Sequence, residues 1–215
     1  MTKGSRKALV AAGVTALVLT ACGSSAAEQP SGTVVLHVTD HAAHDAGDLA
    51  RAQAEAKRIF ADTGVRVVWA DISKGPQARA CEGLNVSVAL LSPFLIRQLA
   101  GQGMGDTVLG SASPGAGRAF VYSESVYPRA AGTRVDAGVL LGRVVAHEVG
   151  HLLLGGSHSR SGLMTTGIDT HPLGLRALFS PREARSIRGL LASKAEDKET
   201  REACGGASTV ADARK

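Results

Sequence analysis

With 215 residues, 44% hydrophobic and 20% charged, the chain is long enough for one domain with appendages, and its balance excludes a fully disordered chain, a collagen or a disulfide-dense miniprotein. Aromatic residues make up only 3%, so the core is expected from Val, Leu, Ile and Ala, and the stacking platforms that hold single-stranded nucleic acid are in short supply. The formal charge of +5 is carried largely by Lys3, Arg6 and Lys7; setting those aside leaves 21 basic against 19 acidic side chains, and no nucleic acid partner is expected.

The basic start is followed by an uncharged run from Ala8 to Thr20, the layout of a secretory signal. A membrane span needs about 20 apolar residues, so this run is too short to be one. It ends in Leu19-Thr20-Ala21-Cys22-Gly23-Ser24-Ser25, which resembles a bacterial lipobox. The resemblance implies a signal peptide over 1–21, lipidation of Cys22, and an extracytoplasmic chain anchored to the cell membrane through lipid. Residues 22–32 read as a flexible tether. With Cys22 set aside, Cys81 and Cys204 form an even pair in an oxidising compartment, either bonded to each other or two free thiols.

The folded part is expected over 33–195, with a charged tail over 196–215 that Cys204 would pin. Val34, Val35, Leu36 and Val38 predict a first strand, and apolar positions from Asp48 to Asp62 recur at helical spacing until Gly64. Val65 to Trp69 and Leu84 to Leu91 predict two further strands. This order points to an α/β or α+β sheet with a right-handed crossover. Residues 101–118 hold six of the 26 glycines and read as a mobile rim, followed by a candidate strand at Ala119 to Tyr122. Asp136 to Leu154 is apolar on nearly every face, which predicts a central buried helix. A last helix is expected to start at Ser180-Pro181-Arg182-Glu183, with Ser180 as N-cap and Glu183 closing a capping box.

The buried helix carries His147-Glu148-Val149-Gly150-His151. A four-residue spacing puts both imidazoles on one face, where they can share one ion, and Glu148 flanks the same side. Two nitrogens suit zinc, leaving places for one more protein ligand and for water, with Glu148 as the base. The competing reading has two core histidines satisfied by backbone carbonyls, with Glu148 paired to Arg143. Upstream, His37, His41 and His44 with Asp40 and Asp45 could form a second metal cluster or a solvated strand end, the latter being favoured.

Gly155, Gly156 and His158 follow the helix, and Met164 comes six residues after His158. In these residues the chain resembles the metzincin zinc metallopeptidases, whose pattern is His-Glu-x-x-His-x-x-Gly-x-x-His followed by a methionine turn. The resemblance implies an α+β zincin fold with a mixed twisted sheet, a central active-site helix, a Met-turn and a C-terminal helix. It implies one zinc ion held by His147, His151 and His158, Glu148 as catalytic base, Met164 in the turn, and a peptide or protein substrate laid along an edge strand, for which Ala119 to Tyr122 is the candidate. Gly155 and His158 arrive one residue later than in the family, and Asp169 and Glu183 compete as third ligand. The expected activity is metalloendopeptidase. The alternatives are a non-enzymatic zinc-binding envelope lipoprotein and a hydrolase of a non-protein amide.

Overall fold

A computed structural model describes residues 30–72, 83–99, 108–171 and 177–206. Cys22 and Cys81 lie outside these residues and the side chain of Cys204 is not described, so neither the lipobox nor the disulfide falls within the structure.

Strand β1 (Thr33–Asp40) is buried at Val34, Val35, Leu36 and Val38, as an interior strand must be. It leads into α1 (Ala46–Asp62), whose N-cap Asp45 accepts a hydrogen bond from the Gly47 amide. Gly64, at φ 77°, ends the turn after α1 and sends the chain back as β2 (Arg66–Asp71), parallel to β1. Strand β3 (Leu84–Leu91) pairs with the other side of β1, also parallel.

Three elements follow that periodicity did not announce. Helix α2 spans Pro93–Leu99 and α3 spans Ser123–Ala131, the latter hidden in the sequence by Pro128 in its interior. The third is β4 (Gly110–Ser113), four small residues within the stretch read as a mobile rim. It has no strand propensity of its own and owes its form to antiparallel pairing with β5 (Arg118–Tyr122). The strand order is β2-β1-β3-β5-β4. This corrects the expected edge: Ala119 to Tyr122 lies inside the sheet between β3 and β4, and the edge beyond it is β4. The fold is therefore a mixed α+β architecture, as its sequence periodicity predicts.

Helix α4 (Ala137–Leu154) starts at N-cap Asp136, whose carboxylate accepts from the Val139 amide at 3.1 Å. It is long and apolar enough to cross a membrane, yet it is enclosed by the sheet and by α1 and is the core helix of the domain. The approach of α1 is close because α4 presents glycine there: a β-carbon on Gly142 would lie 2.5 Å from the Ala52 carbonyl oxygen. Helix α5 (Pro181–Gly206) opens with the expected box, the Ser180 amide donating to Glu183 Oε2 at 2.7 Å and the Glu183 amide to Ser180 Oγ at 3.3 Å. It runs beyond the expected end near residue 195, because Lys194 to Ala203 consists mostly of strong helix formers.

Candidate metal centre

The C-terminal half of α4 holds His147 and His151, 4% and 8% exposed, one helical turn apart. Gly155, at φ 86°, ends the helix with its amide bonded to the His151 carbonyl, a conformation a side chain would strain. The chain then swings out to His158, which is exposed, and returns. One nitrogen from each of the three imidazoles lies within 4.8 Å of the other two. Asp169 and Glu183 do not enter this group: the Asp169 carboxylate accepts from the His171 amide, and Glu183 serves the α5 cap.

The hydrogen bonds around the cluster bear on what it can hold. His147 Nδ1 donates to the Leu163 carbonyl at 2.8 Å, and His151 Nδ1 faces the Gly155 carbonyl at 3.4 Å. A proton on each Nδ1 leaves both Nε2 atoms as bare lone pairs, and these lie 3.1 Å apart. Two lone pairs at that distance repel unless something positive is shared between them. A tetrahedral ion with Zn–N bonds of ~2.0–2.1 Å sets its nitrogens about 3.3 Å apart, so the donor set fits zinc. Burial lowers the His147 imidazole to about 4 and also lowers that of His151, which keeps both neutral, the form that ligates.

Glu148 is 4% exposed and, with the three histidines, lines a cleft of about 430 Å³. Burial pushes its carboxyl up to about 8, and no charged group among the described residues offsets that. The competing reading that paired Glu148 with Arg143 does not hold. Arg143 turns the other way, donating from Nε to Glu55 Oε1 at 3.0 Å and from Nη1 to the carbonyls of Asp169 and His171 at 2.7 and 2.8 Å. Met164 is buried beneath the helix, where a β-carbon on Gly150 would lie 2.5 Å from its sulfur. The Met164 carbonyl accepts from the Ser159 amide at 2.7 Å, which folds the loop back on itself.

Two cleft residues carry no motif. Gly110 at the start of β4 lies against Glu148, and Arg129 in the last turn of α3 lines the same space. The upstream histidines form no second centre among the described residues. His44 Nδ1 bonds Asp40 at 2.7 Å and His37 Nε2 meets Asn85 Oδ1 at 2.7 Å, and neither belongs to a group of three ligands.

No protein-family model matches the chain, and no curated protein does. Among solved structures, a zinc-dependent peptidase from Methanocorpusculum labreanum (strain Z) is similar at 17% identity, covering 71% of this chain and 99% of its own, with a TM-score of 0.47.

Proposed function

We infer that the protein is a zinc-dependent peptidase. The observation that carries this reading is the pair of Nε2 atoms of His147 and His151 3.1 Å apart, joined by a third imidazole and flanked by the buried Glu148 carboxyl, which opens on the same cleft. His147, His151 and His158 would hold the ion. When bound, zinc supplies Lewis acidity, which acidifies water and polarises a carbonyl. Glu148 accepts the proton from the attacking water and delivers it to the leaving amine. The edge strand β4 borders the cleft at Gly110, Ser111 and Ala112, and its outer backbone groups suit an extended peptide. A base beside the metal separates this reading from a purely structural zinc site, which has no use for one.

The lipobox-like ending at Cys22 and the tether over 22–32 support a lipid-anchored enzyme outside the cytoplasm; Cys22→Ser should move the chain from the membrane fraction to the soluble one. For the chemistry, the full chain is incubated with a mixed peptide library beside Glu148→Gln. Wild type should cut and chelator should stop it, while the variant should lose about 10²–10⁴-fold or more in rate and keep its zinc. Equal cleavage by both proteins would remove Glu148 from the reaction.

A further inference from the structure

Three imidazoles, one carboxylate and one guanidinium line the cleft, and every other described residue there is uncharged. The guanidinium is that of Arg129. It has no carboxylate partner among the described residues, in contrast to three arginines of the domain, and it is the arginine that lines this cleft. Arg51 is paired with Asp48 and Asp136, Arg58 with Glu55, and Arg143 with Glu55. Arg129 is exposed, so its fork of donors is free to meet a solute. The cleft is also lined by Val108, Leu109 and Ile168, apolar surface beside which a charge is less screened than in open water. A substrate entering here meets a single fixed positive side chain.

The geometry points to Arg129 as the residue that reads a carboxylate on the substrate, so that the cleft selects peptides with an acidic side chain or a free terminal carboxylate near the bond presented to the histidines. A guanidinium binds a carboxylate through two parallel hydrogen bonds, which gives direction as well as attraction. The inference rests on the peptidase reading of the same cleft. The plainer role for Arg129 is to face the negative end of α3 from its last turn, which would confer no preference among ligands.

The test uses the full chain carrying Glu148→Gln and loaded with zinc, which is to bind without cutting. Labelled peptides of one scaffold are compared by fluorescence anisotropy: neutral and amidated, aspartate-bearing and amidated, lysine-bearing and amidated, and neutral with a free carboxyl terminus. The aspartate or the free-carboxylate peptide should bind about tenfold tighter than the neutral one, with the gap closing as salt rises. Whichever of the two gains shows whether a side chain or a terminus is read. Adding Arg129→Glu should reverse the order in favour of lysine, and Arg129→Lys should keep the order with a smaller gap. An unchanged ranking in Arg129→Glu, or failure of every peptide to bind, overturns the inference. Wild-type cleavage of the same peptides separates the two readings. No cleavage with a ranking that reverses leaves carboxylate recognition standing and removes the peptidase. Cleavage with no dependence on Arg129 does the opposite.

Discussion

A β-carbon at position 110 would lie 2.7 Å from Glu148 Oε1 and 2.7 Å from the Phe120 carbonyl oxygen. The second of these is backbone and cannot swing away, so the strand or the carboxylate must move. Displacement of a catalytic group by about 1 Å can cost 10²-fold in rate. Gly110→Ala should therefore lower kcat by about ten- to a hundredfold while leaving the zinc content unchanged, because the atoms nearest the new methyl belong to Glu148 and Phe120; full kcat would mean that Glu148 tolerates the shift. The sequence offered no sign of this. Histidines four apart on an apolar helix announce themselves, because imidazole and carboxylate side chains in such a helix need a shared reason to be there. A glycine among six in one stretch does not, since only its neighbour across the fold makes it necessary. Arg143 stood between these cases. Its burial in α4 was legible, but its partner Glu55 lies 88 residues away on α1 and shared no motif with it.

The Arg143 network joins three elements: α4, α1 through Glu55, and the loop that carries Asp169 and His171. Arg143 and Glu55 have side chains only 2% and 9% exposed. Burial alone would raise the Glu55 carboxyl, and the guanidiniums of Arg58 and Arg143 outweigh it and hold it below its usual 4.5. A group depressed in the folded state stabilises fully above its unfolded value and loses that stabilisation as the pH falls through the folded one. Stability should thus fall below about pH 4.5, and more steeply in wild type than in Glu55→Gln. At neutral pH the variant should already be weaker by about 3–5 kcal/mol, the cost of leaving Arg143 buried without its anion. Thermal midpoints measured from pH 7 downward check this, and parallel slopes for the two proteins would count against it. At the same scale, β1, α1, β2, β3, α4 and the start of α5 were readable because each repeats its apolar residues at the period of its own geometry. The short β4 has no such repeat, and α3 holds a proline where a helix is least expected.

Across the whole molecule, the order β2-β1-β3-β5-β4 could not be read from periodicity, because pairing is non-local and alternation says only which face is buried. The parallel core does follow from the strand, helix, strand order at the start of the chain. The three imidazoles are unequally held: two ride on one buried helix, and the third sits on an exposed turn reached through Gly155. An ion shared among them would staple that turn to the helix, so that folding and metal occupancy would become one linked equilibrium. At a hundredfold excess over Kd, bound zinc adds about 2.7 kcal/mol, enough to raise Tm by about 5–10 °C in a domain of this size. Chelation should reverse that rise, and an identical Tm with and without zinc would argue that the turn is set without it. The asymmetry also orders the ion's departure. The buried helix fixes the backbone of both its histidines, whereas the turn would give up its imidazole whenever it loosens. Exchange of the ion with its surroundings should then run at the pace of the turn, with His158 the first contact broken and the last remade.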